Sequence, residues 1–181
     1  VTHEPERVVP PAETVPAGEV GQLIVKGPQL ASSYWNNPVE TERKFRGGWL
    51  YTGDLFSVDE AGYFHFHGRA DDMIVSGGEN IYPREVEEVL HHCPGVQEAA
   101  VIGVPDPKWG QSVTAFVVRS DLNLTEADIV TFCKASDDLA PYKRPKQVFF
   151  VDRLPLNPSG KVLRHELAGP IYQSLIAGAS Q

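Results

Sequence analysis

Residues 68–83, Gly-Arg-Ala-Asp-Asp-Met-Ile-Val-Ser-Gly-Gly-Glu-Asn-Ile-Tyr-Pro, divide the chain into two differently patterned halves. A strand-like run leaves charged residues, crosses two glycines and enters a helix opened by Pro83, whose missing N–H and fixed φ suit a first helical position. Upstream, the sequence is rich in Gly and Pro and patterned for short strands. Downstream, helical and strand periods alternate. The stretch predicts a joint: an extended lead-in at 1–17, a β-rich part at 18–70, and an α+β domain at 71–181.

Downstream of the joint, Val86, Val89, Leu90 and Cys93 recur at i, i+3, i+4 and i+7, the signature of one buried helix face, and Pro94-Gly95 stops that helix. Glu98–Val104 and Ser112–Arg119 read as strands buried on both faces, joined by a loop that exposes Trp109. A second helix starts at Thr125, with Asp128 three residues on as a capping box. Gln147–Val151 is a third strand, and a last helix runs from about Val162 to Ile176 after the loop Leu154–Lys161. The domain should therefore be small, with a three-stranded core sheet and helices. Upstream, Gly18–Pro28 is a short β-run, and Pro38–Phe45 is one or two helical turns ended by Gly47-Gly48. Trp49–Leu55 and Tyr63–His67 form a hairpin around Asp59–Gly62. His65 and His67 lie on one strand face; at i and i+2 they supply too few ligands for a metal, and no metal site is expected.

With 181 residues, 41% hydrophobic and 22% charged, the chain has room for one good core and a smaller unit. A net charge of −8 argues against a nucleic-acid partner, because the one dense basic cluster is Tyr142-Lys143-Arg144-Pro145-Lys146. The longest apolar runs fall far short of the roughly 20 residues of a membrane span, and the first residues do not pattern as a signal peptide. Cys93 and Cys133 fit reduced packing residues, consistent with a cytoplasmic protein. The chain starts at valine, which suggests a piece of a longer protein.

Four positions carry chemistry. Asp54, placed by Gly53 at a strand end, either offers two acceptor oxygens to a vicinal diol or caps its own turn. Arg69 has a planar fork suited to ribose hydroxyls or a phosphate; the plainer reading is a surface ion pair. Ser76-Gly77-Gly78 lacks bulk, so either something thin passes close to the backbone or the chain simply bulges. Lys161 sits in a loop loosened by Gly160 and stiffened by Pro155 and Pro158, a placement suited to delivering a cation to a carboxylate or phosphoryl group.

Taken together, Trp49-Leu50-Tyr51-Thr52-Gly53-Asp54, Gly62-Tyr63, Gly68-Arg69-Ala70-Asp71-Asp72-Met73-Ile74, Gly77-Gly78-Glu79-Asn80-Ile81-Tyr82-Pro83 and Asn157-Pro158-Ser159-Gly160-Lys161-Val162-Leu163-Arg164 closely resemble the adenylate-forming superfamily, which includes acyl-CoA synthetases, nonribosomal adenylation domains and luciferases. The resemblance covers about residues 18–168. It implies that Asp54 and Arg69 contact the ribose of ATP and that Asp71 is the hinge between a large N-terminal and a small C-terminal domain. It further implies that Lys161 bridges the substrate carboxylate and the α-phosphate. Residues 18–70 would then end the large domain, as its β-barrel-like portion. Family behaviour implies that the small domain rotates after adenylation to present a CoA-binding face. Ser76, Gly77 and Gly78 would line the pantetheine there, with Trp109 and Tyr142 as aromatic partners and Lys143, Arg144 and Lys146 facing the phosphates. The implied substrates are a small-molecule carboxylic acid, ATP with Mg2+ held mainly by the absent domain, and CoA.

Val75 stands where many members of the superfamily have lysine, and the run that follows is similar to the fatty-acyl and aryl-CoA ligase branch. The family's phosphate loop, adenine motif and acyl pocket are not in the sequence, so the chain alone should be inactive. Two other readings stay open: an adenylation domain that loads a pantetheine carrier, and a non-catalytic module docking a partner. A lysine-acylating enzyme acting at Lys161 would also be a partner.

Overall fold

The computed structural model describes residues 14–179, with side chains through Leu175; most of the expected lead-in at 1–17 lies outside the described residues. The chain divides between Asp71 and Asp72 into two compact units.

The first unit is a four-stranded antiparallel sheet. Strands β1 (Gly21–Val25), β2 (Phe45–Arg46) and β4 (Phe64–Arg69) all pair with the long β3 (Trp49–Val58). Helix α1 (Pro38–Lys44) precedes β2, with Pro38 in its first turn and the Asn37 side chain accepting a hydrogen bond from Glu40 N. The expected stop at Gly47-Gly48 is displaced. Phe45 is already extended and pairs with Leu50, while Arg46 pairs with Trp49, so the two glycines are the turn of a hairpin and do not cap the helix. The β3–β4 register places Phe66 opposite Phe56 and Phe64 opposite Val58, which gathers the three Phe rings on one face.

The second unit is built on a five-stranded sheet with apolar layers on both faces. Its centre is β8 (Gly110–Arg119), antiparallel to β7 (Val96–Asp106) and parallel to β9 (Gln147–Phe150). These are the three expected core strands. A hairpin of β5 (Ile74–Ser76) and β6 (Glu79–Ile81) joins the sheet through Ser76, which pairs with Gly110. Strand alternation sends neighbouring residues to opposite layers. Val101, Val113, Ala115 and Val117 meet α2 (Pro83–His91) and α3 (Glu126–Ala135) through Val86, Leu90 and Ile129. Ala100, Ile102, Phe116 and Val118 face the other way, onto Leu154 and Leu167.

Helix α3 begins as its sequence predicts. Thr125 Oγ1 accepts from Asp128 N at 3.2 Å and Asp128 Oδ2 accepts from Thr125 N at 2.9 Å, closing a capping box. The hydroxyl of Thr125 donates to the same carboxylate, and these bonds hold the Asp128 carboxyl below its usual range. Cys93 and Cys133 are free and buried in the first layer, where burial pushes the Cys133 thiol up to about 11.

The last helix is broken where a continuous one was expected. It starts as α4 (Arg164–Glu166), passes through a wide turn at Leu167–Ile171 and resumes as α5 (Tyr172–Ala179). Gly169 leaves helical geometry (φ −100°, ψ −110°) and Pro170 follows it; proline has no N–H to give and its ring collides with the preceding turn. The break seats Ile171 and Tyr172 against the second layer, with the Tyr172 ring edge-on to Phe149 at 5.7 Å. Among the described residues no helix is long and apolar enough to cross a membrane.

Candidate functional site

The β3–β4 register puts Asp54 directly opposite Arg69. Arg69 Nη1 donates to Asp54 Oδ1 at 2.7 Å, with both side chains partly exposed, so the two candidate ribose residues meet although 15 positions apart. Asp54 does not cap its own turn. That role falls to Thr52, whose Oγ1 accepts from Asp54 N at 3.0 Å and donates to Leu23 O at 2.8 Å. The carboxylate is thus oriented by Arg69 through one oxygen, and Oδ2 has no hydrogen-bond partner among the described residues.

A second cation at this place is not signalled by the sequence. Lys44, only 7% exposed, extends from the last turn of α1 and donates from Nζ to Thr52 O at 3.3 Å. A Cβ on Gly53 would lie 2.7 Å from Lys44 Nζ and 3.1 Å from Arg69 Nη2, so both cations converge on the bare face of that glycine. Nothing in the local sequence distinguishes Lys44 from a solvated lysine at a helix C-terminus.

Neither histidine of β4 is idle. His65 shares a 2.8 Å hydrogen bond with Asp59, which holds the Asp59 carboxyl below its usual range, and His67 shares one of 2.8 Å with Ser57. No group of three His, Cys, Asp or Glu suited to a metal occurs among the described residues.

Asp71 belongs to the 3₁₀ turn Ala70–Asp72 and is the last residue of the first unit. Its side chain is 61% exposed, with Arg43 at 3.9 Å as its ion pair, a contact worth little in water.

Lys161 stands at the end of a closed loop. The Asn157 carboxamide oxygen accepts from Ser159 N, Ser159 Oγ and Lys161 N, all within 2.9 Å. Asn157 N donates to Lys161 O at 2.9 Å, and Gly160 N donates to Asn157 O at the same distance. Gly160 completes the turn at φ +80°, a conformation that costs a side-chain-bearing residue about 1–2 kcal/mol. Below the turn, Leu156 bridges Val162 and Leu163 N donates to Pro155 O at 2.8 Å. Leu154 and Val162 root the loop in the second apolar layer. Lys161 itself is exposed, and its ammonium has no partner among the described residues.

The remaining candidates separate into two groups. Ser76 pairs with Glu79, so Gly77 and Gly78 form a two-residue hairpin turn, both at positive φ (+62° and +89°), and no bulge interrupts the β5–β6 ladder. The missing side chain is used all the same: a Cβ on Gly77 would meet Trp109 Cε3 at 2.9 Å, and Gly77 N donates to Trp109 O at 2.8 Å. Lys108 and Lys146 place their ammonium groups 4.6 and 5.0 Å from the centroid of that indole. Gly77, Trp109 and Lys146 are therefore one cluster. Tyr142 and Lys143 belong to the 3₁₀ turn Pro141–Lys143, where Lys143 Nζ is ion-paired with Glu85. Arg144 is also engaged, donating from Nη2 to Lys134 O at 3.3 Å near the end of α3.

Residues 85–161 match the family described as AMP-binding enzyme C-terminal domain. The chain is 48% identical over 159 residues to a feruloyl-CoA synthase of Amycolatopsis, covering 87% of this chain and 32% of the relative. It is 47% identical over 153 residues to a long-chain-fatty-acid–CoA ligase of Escherichia coli, covering 84% of this chain and 27% of that protein. Among solved structures, the o-succinylbenzoate CoA synthetase of Bacillus subtilis in complex with its acyl-adenylate intermediate superposes with a TM-score of 0.80 at 42% identity, covering 86% of this chain and 32% of that one. The chain spans about a third of the length of the curated relatives it matches.

Proposed function

Because the chain belongs to the adenylate-forming superfamily, on its acyl-CoA synthetase branch, we propose that it is the C-terminal part of an ATP-dependent carboxylic acid:CoA ligase. The observation that carries this reading is the Lys161 loop, a closed turn that carries an exposed ammonium with no partner among the described residues. In the first half-reaction a carboxylate oxygen attacks the α-phosphorus of ATP and pyrophosphate leaves. Two anions must approach one another, so a positioned cation lowers the barrier in a way it does not lower the ground state. Lys161 supplies that cation.

Asp54 and Arg69 suit the nucleotide sugar. The Oδ2 of Asp54 accepts from a ribose hydroxyl, while the 2.7 Å pair with Arg69 keeps the carboxylate oriented. Mg2+ would accompany ATP and screen its phosphates, with its protein ligands drawn chiefly from the large domain. In the second half-reaction the thiol of CoA attacks the acyl carbon and AMP leaves. Asp71 would be the pivot by which the small domain withdraws Lys161 and presents its CoA face. On that face the Trp109 indole, with the Lys108 and Lys146 ammonium groups over its ring, combines an aromatic ring with two cations, matched to an adenine ring and phosphate oxygens. Lys143 and Arg144, already bonded to Glu85 and to Lys134 O, contribute to the field there more than to direct contacts. Without a phosphate loop or acyl pocket, this chain by itself would catalyse neither half-reaction. Its exposed lysine is open to an acylating enzyme, and acylation would cancel the charge and silence the first step.

The test uses the full-length protein with a panel of aliphatic and aromatic acids. Acid-dependent exchange of pyrophosphate into ATP, followed by thioester formation with free CoA, is expected. A thioester formed only on a carrier-bound pantetheine would show a carrier-loading enzyme, and absence of exchange with every acid would overturn the proposal. A Gly77→Ala substitution tests the CoA face. Its methyl group must displace Trp109, so KM for CoA is expected to rise by roughly tenfold, about 1.4 kcal/mol, while pyrophosphate exchange stays unchanged. An unchanged KM for CoA would remove Trp109 from the site.

A further inference from the structure

Arg164 follows Lys161 by three residues and opens α4, and its guanidinium ties together three otherwise separate segments. Nη2 donates to Glu87 Oε1 of α2 at 2.5 Å, Nε donates to Val101 O of β7 at 3.4 Å, and Nη1 lies 3.8 Å from Asp72 Oδ2. Glu87 Oε1 also accepts from Val101 N at 2.8 Å, so α2, β7 and the residue after the lysine loop are locked through one carboxylate. The Arg164 and Glu87 side chains are 25% and 15% exposed, dry enough for their pairing to be directional and strong. The contact to Asp72 is longer and wetter, and Asp72 is the first residue of the second unit.

Between Arg164 and Lys161 the chain has little freedom. Val162 is bridged to Leu156, Leu163 N is bonded to Pro155 O, and Lys161 N is bonded to Asn157. A shift of Arg164 is therefore passed on to Lys161 with little slack.

We infer that Arg164 is a positioning residue for Lys161, anchored on Glu87, and that its contact with Asp72 links the lysine loop to the junction at Asp71. The inference rests on the reading of Lys161 as the adenylating cation. It assigns Glu87 and Asp72 distinct parts: Glu87 fixes the height of the loop over the sheet, and Asp72 is where the junction acts on it. A guanidinium is needed because it can face two carboxylates and a carbonyl at once, which an ammonium on a flexible stem cannot do in one geometry.

The test is a double-mutant cycle in the full-length enzyme, read by acid-dependent pyrophosphate exchange. Arg164→Met is expected to lower kcat for exchange by roughly 10- to 100-fold, the penalty of a catalytic group displaced by about an ångström, with KM for ATP nearly unchanged. In the Lys161→Ala background the same Arg164→Met substitution is expected to have no further effect, because a positioning residue acts only through the group it positions. Arg164→Lys, which preserves folding charge, should fall between wild type and Arg164→Met. An equal loss from Arg164→Met in both backgrounds, or wild-type exchange in Arg164→Met and Arg164→Lys alike, overturns the inference. If Lys161→Ala alone leaves exchange intact, the adenylating role of Lys161 fails, a separate result read from a different arm of the same cycle.

Discussion

Lys161→Ala in the full-length protein is expected to lower acid-dependent pyrophosphate exchange by roughly 10²–10³-fold, the range found when one preorganised group facing transition-state charge is removed. The fold should not suffer, since Lys161 is exposed and its ammonium has no partner among the described residues. The loop is held by backbone and Asn157 contacts that a methyl side chain leaves in place. The loss should appear in kcat with KM for ATP little changed, because the interaction strengthens as charge builds between carboxylate and phosphate. Lys161→Arg keeps the charge but spreads it over a planar fork, and recovers only part of the rate.

Asp71→Pro is expected to separate the half-reactions. Proline holds φ near −65° and pushes Ala70 away from helical geometry, so the 3₁₀ turn Ala70–Asp72 loses the freedom that a hinge uses. The side chain it removes makes one exposed 3.9 Å contact to Arg43, a minor loss for stability. Thioester formation should fall by roughly tenfold or more, about 1.4 kcal/mol or more in that barrier, while pyrophosphate exchange stays within about threefold. Equal losses in both would count against Asp71 as the pivot.

How much of this was legible in the sequence depends on the range of the interactions concerned. Helix α2 and the start of α3 were readable because their signals are local: Pro83, the Val86–Cys93 period, and Thr125 with Asp128. Strands β7 and β8 announced themselves by length and β-branched content. The β5–β6 hairpin did not, since three-residue strands give no period, and its Gly77-Gly78 turn reads equally as a gap. The break at Gly169-Pro170 hid inside an apolar period that continues on both sides of it.

The candidate sites follow the same rule. Asp54, Arg69 and Lys161 were nameable from motifs, yet the pairing of the first two needed the β3–β4 register, and the stiffness of the lysine loop came from Asn157, a residue read only as part of a motif. Three contacts that define the surfaces lie beyond any local pattern: Lys44 on Thr52, Trp109 on Gly77, and Arg164 on Glu87, the last spanning 77 positions. The basic run at Lys143–Lys146 was legible only as composition for a related reason. Its composition suggests a phosphate site, and the contacts that sort its members are long-range: Lys143 pairs with Glu85, Arg144 donates to Lys134 O near the end of α3, and Lys146 lies over Trp109.

The most direct test of the central claim supplies the Lys161→Ala enzyme with preformed acyl-adenylate and CoA. If Lys161 serves the first half-reaction alone and the Trp109 face serves the second, this variant forms thioester at a rate within a few fold of wild type, although its own adenylate formation is slowed by roughly 10²–10³-fold. Loss of thioester formation from the preformed adenylate, in step with the loss of exchange, would contradict that division.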